Sequence, residues 1–279
     1  MRFLPFLFLL SSIASAQTLQ VAVPSDVLGD YQRWLRDRDI AQVFSYSGDG
    51  VRRDVVEVAL FMQALKLGCG AIDVEWVPVD SYPRTLALLR EGGVHAAATS
   101  VWKEDVDTNE TFLSSPLIAD GQFFVAMFTA LNHPIKIGAA SDLQNISVVS
   151  SKHWSRDWTV LKSLPLASLQ HVNDWPTMVR WVASGKADAL LAPMTENETR
   201  LLTVGSVSLV PISNARFVLP GSRHFALAKH NNDVAKKLSV CVESGLSILR
   251  QKGAVERAYK DSGFWREDFM RWKVLNILE

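Results

Sequence analysis

Two short stretches of the chain gather side chains able to hold a small polar molecule. Thr99, Ser100, Trp102 and Lys103 put two hydroxyls, an aromatic face and a cation close together. Ser150, Ser151, Lys152, His153, Trp154 and Arg156 do the same at the start of a helical pattern. There, unpaired backbone N–H groups and the helix dipole favour an anion. Each residue also has a plainer role. Trp102 and Trp154 would equally serve core packing, and Lys152 and Arg156 would equally decorate a solvated helix start.

Catalytic signatures are thin. The chain has no G-x-S-x-G elbow, no Walker A loop, no G-x-G-x-x-G after a strand and no H-E-x-x-H. His95, His133, His153, His171, His224 and His230 lack metal-ligand spacing, so neither a metal nor a cofactor is expected. Gly68-Cys69-Gly70 reads as a helix stop rather than a phosphate cradle. The N-x-[ST] sequons at Asn109, Asn145 and Asn197 are read as coincidental.

The elements that must position the two clusters announce themselves through an internal echo. Shifted by 93 positions, from 82 to 175, the chain repeats one plan. Tyr82-Pro83 and Trp175-Pro176 each open a helix, with Pro suited to the first helical position. Leu86 and Leu89 answer to Val179 and Val182, and Gly92 to Gly185. Short apolar strands follow at Ala96-Ala97-Ala98 and Ala189-Leu190-Leu191, so that Ser100 and Pro193 occupy equivalent strand ends. Elsewhere, strands are expected at Leu19 to Pro24, Asp73 to Val77, Gln122 to Phe128, Ile146 to Val149 and Phe225 to Ala228. A buried helix spans Val55 to Leu67, started by Asp54, stopped at Gly68 and interrupted only by Glu57, Gln63 and Lys66. Asp233 to Lys252 is a long helix, with a shorter one near Val255 to Asp261. Phe264, Trp265, Phe269 and Trp272 are expected to pack the tail onto the first half of the fold. Alternating strands and helices point to an α/β architecture of open, mostly parallel sheets, which bind ligands beyond the carboxyl ends of their strands.

Composition agrees with a folded, exported body. With 29 Lys+Arg against 29 Asp+Glu and 48% hydrophobic residues in 279, the chain is neither disordered nor a charge-driven nucleic-acid binder. Arg2, the apolar run Phe3 to Leu10 and Ala14-Ser15-Ala16 read as a cleaved signal peptide over residues 1–16, leaving a mature chain from near Gln17. No Cys follows the cleavage site and no later stretch reaches the roughly 18 apolar residues of a membrane span. Export places Cys69 and Cys241 in an oxidising compartment, which favours a disulfide over two separate buried thiols.

Val74-Glu75-Trp76-Val77-Pro78, the strand into Thr99-Ser100, and Phe112-Leu113-Ser114-Ser115-Pro116 follow one another in a familiar order. So do Asp142-Leu143, Gly185-Lys186-Ala187-Asp188-Ala189, and Leu249, Gly253 and Tyr259 in the late helices. This pattern resembles the extracellular solute-binding proteins of family 3, the polar amino-acid type of ABC transport receptor, over essentially the whole mature chain. The resemblance implies a type II periplasmic-binding-protein fold: two α/β lobes joined by two crossing strands and closing on a ligand. Residues 17–118 plus 220–279 would form one lobe and 119–219 the other, which puts both cysteines in the first. It also places Tyr46 and Tyr82 where family members stack aromatics on the ligand.

Where the family holds an Arg for the ligand carboxylate and an Asp for its ammonium, this chain has Asp105 and Pro193. A standard α-amino acid is therefore not the expected ligand, and a small polar or anionic solute is. The implied protein is a monomeric periplasmic receptor, not an enzyme, partnered by an ABC permease or membrane sensor and not by nucleic acid. The alternatives are a lyase on the same fold, similar to periplasmic cyclohexadienyl dehydratases and using Asp105 or Glu104 as acid/base, or a partner protein that no longer binds solute.

Overall fold

The computed structural model describes residues 18–133, 135–230 and 232–276; the segment read as an export signal lies outside them. Up to residue 118 the chain forms strands β1 (Leu19–Pro24), β2 (Val74–Val79), β3 (Ala96–Ala97), β4 (Val101–Trp102) and β5 (Thr111–Leu113), with helices α1 (Ser25–Leu35), α2 (Arg53–Cys69) and α3 (Tyr82–Glu91). Then come β6 (Phe123–Ala130), β7 (Ser147–Ser150), α4 (Ser155–Ser163), β8 (Ser168–His171), α5 (Trp175–Ala183) and β9 (Leu190–Ala192). Strands β10 (Leu202–Val204), β11 (Val207–Pro211) and β12 (Ala215–Leu219) follow, and then the short β13 (Arg223–His224) and β14 (Ala226–Ala228). The chain ends in α6 (Asn232–Gln251), α7 (Ala254–Asp261), α8 (Glu267–Met270) and β15 (Lys273–Val274).

These strands make two main sheets. The first has the order β2-β1-β3-β14-β5, and the second β10-β11-β6-β12-β15 with β9 also on β6. Parallel pairing is found where a helix connects the strands, as in β1 with β2, β1 with β3, and β7 with β8. The echo is visible here. Both α3 and α5 carry a Pro in their first turn, and Gly92 and Gly185 follow them at φ 70° and 76°. The chain then enters a strand that lies parallel to an earlier one, β3 on β1 and Ala189 on Val148.

Two paired strands carry the chain between the sheets. Phe123, Phe124 and Val125 in β6 lie antiparallel to Leu219, Val218 and Phe217 in β12, and beyond them Ile118 bridges Arg223. The C-terminal segment makes a third crossing. Phe264 joins the first apolar cluster, with Phe123 and Tyr259, while Phe269 and Trp272 are buried with Phe128, Met178 and Val182 of the second. β15 pairs with β12, and Asn276 binds both the N–H and the carbonyl of Val218. The expectation that all four tail aromatics pack on the first half is thus corrected: Phe264 and Trp265 do so, but Phe269 and Trp272 follow the second sheet.

Helix α2 is longer than its apolar pattern suggests, starting at Arg53 and stopping before Gly70, with Asp54 inside its first turn and Gly68 inside its last. Gly68 owes its place to a helix crossing rather than to a stop. A Cβ at Gly68 would sit 1.8 Å from the Cys241 carbonyl oxygen, and one at Gly245 would sit 2.0 Å from that of Ala64, so α2 and α6 touch backbone to backbone. Beside that contact Cys69 and Cys241, 172 positions apart, form a disulfide with their Cα atoms 5.0 Å apart.

Gly245→Ala should therefore lower the unfolding free energy measured in urea more than a typical core substitution, by over about 3 kcal/mol, because the atoms the new methyl would strike are backbone. The Cys69→Ser/Cys241→Ser double variant should lose about 2–5 kcal/mol. A Gly245→Ala midpoint at the wild-type value would show that the two helices are not in contact.

Candidate functional site

The junction of the two sheets holds a buried polar group at its centre. Glu57, fully buried one turn into α2, accepts hydrogen bonds from Arg53 (2.7 Å), the Ser100 N–H (2.9 Å), the Ser100 hydroxyl (2.8 Å) and the Tyr259 hydroxyl (3.1 Å). Ser100 is held in turn by Arg223, whose Nε donates to its Oγ at 2.8 Å and whose Nη2 donates to its carbonyl. Arg223 is only 6% exposed. Its guanidinium carbon lies 4.8 Å from the Trp102 ring centre, 5.5 Å from that of Phe123 and 5.9 Å from that of Tyr82, an aromatic enclosure that suits a cation. Burial, and then the nearby Arg53 cation, pull the Arg223 guanidinium below its ordinary pKa, with Glu57 acting the other way. Burial also acts against Arg53, but Glu57 and Asp54 outweigh it and hold that guanidinium above its usual range.

Helix α4 faces this group from the second half. Ser155 donates to Asp105 at 3.0 Å, and Arg156 pairs with Glu104 at 3.2 Å. Asp105 also accepts from the Tyr82 hydroxyl at 2.9 Å, and that hydroxyl accepts from the Trp102 N–H at 3.0 Å. Asp105, where the family resemblance would place an Arg, is thus a latch between the two halves. Asp157, half-buried in the first turn of α4, has no cation within ion-pair distance among the described residues. Burial pushes its carboxyl up to about 6, opposed by its own backbone N–H and by the charges of Arg223 and Arg53.

The sequence-derived candidates divide. Ser100, Trp102 and Tyr82 meet at the junction, with buried Thr99 beside them, and Arg156 reaches it through Glu104. Lys103 is exposed next to them. The others lie elsewhere. The Tyr46 hydroxyl donates to Gln63 inside the core at 2.7 Å, and its ring stacks on Trp34. Trp154 packs against Trp175 within the second cluster. Lys152 lies over the Trp158 ring, and its N–H donates to His171. Ser150 and Ser151 are buried, the Ser151 hydroxyl accepting from the His153 N–H. Arg53, Glu57, Phe123, Asp157, Arg223 and Tyr259 were not anticipated. An Arg and a Glu at i, i+4 opening an otherwise apolar helix was the one signal in the sequence for any of them.

No protein-family model and no curated protein sequence matches the chain. Solved structures do. One is described as the probable amino-acid ABC transporter extracellular-binding protein ytmK of Bacillus subtilis (TM-score 0.58, 15% identity, 91% of this chain and 100% of that one). Another is the ancestral amino acid-binding protein AncCDT-1, a precursor of cyclohexadienyl dehydratase (TM-score 0.55, 17% identity, 88% and 95%). A third is the substrate-binding protein AbpA of Streptococcus pneumoniae, bound to L-arginine (TM-score 0.54, 17% identity, 88% and 96%). At these identities the likeness is one of fold. The chain has the two-lobed α/β type II periplasmic-binding-protein architecture, with the Arg223 group where the lobes meet. Among the described residues no helix is long and apolar enough to cross a membrane.

Asp157 gives the site a pH signature. A carboxyl whose pKa rises on folding binds protons more tightly in the native state, so its stability contribution is greatest in acid and is lost as pH rises from about 4 through about 6. Asp157→Asn in ligand-free protein should therefore match wild type near pH 4 and exceed it by about 1–2 kcal/mol at pH 7.5, the side chain's remaining exposure screening part of the shift. Equal urea midpoints at both pH values would refute the burial of this charge.

Proposed function

We propose that this protein is an exported solute-binding protein whose lobes close on a small polar or anionic solute and present it to an ABC permease or a membrane sensor. The observation that carries this reading is Arg223, a buried cation at the lobe junction. Its Nη1 has no acceptor among the described residues, and Glu57 is already engaged by Arg53, Ser100 and Tyr259. A buried charge without a partner is costly, and an anion from solution is the partner this geometry admits. The matched solved structures include amino-acid-binding proteins, which supports capture of a small solute. The reading divides the lobes as 17–118 with 220 to about 266, and 119–219 carrying the tail from Glu267. Periplasmic residence rests on the N-terminal segment and agrees with the disulfide.

One observation favours a second reading. The Asp157 carboxyl, at about 6, has the affinity for protons that suits a general acid near neutral pH. Glu104 and Asp105 are instead engaged in lobe-to-lobe contacts. On this fold the catalytic carboxyl of a lyase would thus be Asp157.

A thermal-shift screen of the mature protein against a metabolite library tests both readings. A solute present at 100 times its Kd should stabilise the fold by about 2.7 kcal/mol, and Arg223→Met should abolish the shift. Conversion of the hit to product, lost in Asp157→Asn, would establish the lyase. A library with no hit would remove the receptor reading.

A further inference from the structure

The strand pair β4 and β13 has a second face. Side chains alternate along a strand, so Arg223, paired with Trp102, turns to the junction while Ser222 and His224 turn away from it. On that side the Ser222 hydroxyl lies 2.7 Å from His224 Nε2, and His224 Nδ1 lies 2.7 Å from the Ser114 carbonyl oxygen. A carbonyl oxygen can only accept, so Nδ1 carries the imidazole proton and Nε2 is left to accept from Ser222. His224 is 7% exposed, and Ser222 is half-buried. Burial, and after it the Lys103 and Arg250 cations, pull the imidazole below its ordinary pKa against the Ser114 carbonyl and Glu104, so the ring is neutral near pH 7 and able to take a proton.

We infer that Ser222 is the nucleophile and His224 the general base of a separate site that cleaves small acyl esters. A hydroxyl, an imidazole within hydrogen-bond reach and an acceptor that fixes the imidazole's tautomer are the parts that acyl transfer through serine requires; here a backbone carbonyl takes the orienting place of a carboxylate. Lys103 supplies the charge. Its N–H donates to the Ser222 carbonyl at 3.0 Å, continuing the register in which Val101 faces His224, and cross-strand partners share a face. The Lys103 side chain is exposed, and the Ser222 N–H has no acceptor among the described residues. Both are donors for an oxygen that turns negative. In the reaction Ser222 Oγ bonds to the acyl carbon and passes its proton to His224 Nε2. The ester C–O bond then breaks, and the alkoxide leaves as the alcohol with that proton. A water deprotonated by the same nitrogen next attacks the acyl-serine, releasing the carboxylic acid and restoring the Ser222 hydroxyl. Solute capture between the lobes is not involved, so failure here leaves the receptor reading as it stands.

The test treats the full mature, oxidised chain with diisopropyl fluorophosphate, maps the adduct by mass spectrometry and follows p-nitrophenyl acetate hydrolysis. Ser222 Oγ displaces fluoride from phosphorus, so a diisopropylphosphoryl group on Ser222 is expected in folded protein and not in urea-unfolded protein. Ser222→Ala and His224→Gln should each lower the hydrolysis rate about 100-fold. Lys103→Ala should lower kcat about tenfold at unchanged KM, because the charge it meets exists only in the transition state. If His224→Gln does not fold, Ser222→Ala decides alone, since it removes one hydroxyl from a half-buried position. A folded protein with no adduct on Ser222, or hydrolysis unmoved by Ser222→Ala, overturns the inference.

Discussion

A carboxylate with no access to solvent organises the middle of this molecule. Glu57 sits in α2 among Val55, Val56, Val58, Leu60 and Phe61, and burying its charge there is tolerable only because four donors surround it. Those donors come from three places in the chain: the start of α2, the end of the first-lobe echo strand at Ser100, and α7 through Tyr259. Each must arrive for the others to be stable. Ser100, held in this way, in turn fixes Arg223 on the strand returning from the second lobe. The chemistry of the junction is thus a consequence of satisfying one buried charge.

The lobes meet around that group rather than through it. Polar contacts between them are peripheral, Arg156 with Glu104, Ser155 with Asp105, and Glu196 with the Gly48 N–H, while at the crossing Phe123 packs on Trp102 and Phe264. Exposed or half-exposed polar pairs contribute little each, about 0–1 kcal/mol, and can exchange with water when lobes separate. The covalent crossings are stiffer. Besides the paired strands β6 and β12, the tail passes from the first cluster at Phe264 to the second at Phe269 and Trp272, with Arg266 donating to the carbonyls of Thr195 and Asn197 on the way. Any rotation of one lobe on the other must accommodate this third strap.

Much of the architecture was legible in the residues. Periodicity and the aromatic-Pro to Gly echo located α3, α5, α6 and α7 and the strands that follow or precede them, because these depend on which face a side chain turns to its neighbours a few positions away. The disulfide was legible through compartment and parity. Strands β10, β11 and β12 and helix α1 carried no comparably clear pattern. The candidate site was half legible: Tyr82 and Ser100 sit at a helix start and past a strand end, where the echo placed them, and Trp102 follows in the next strand.

What the sequence by itself determined is the alternation of elements, the two related units and the strand end at Ser100 that meets the junction. What only the tertiary structure decided is which charges meet there. Glu57 finds Ser100 43 positions away and Tyr259 202 away, and Ser100 finds Arg223 at 123, separations over which no local spacing carries information. The same limit explains the second cluster. Consecutive residues at a helix start point in different directions, so at the start of α4 Trp154 is carried into its own lobe while Ser155 and Arg156 reach Asp105 and Glu104 of the other. The identity of those residues was readable in the chain, but the direction they face was set by packing across the whole fold.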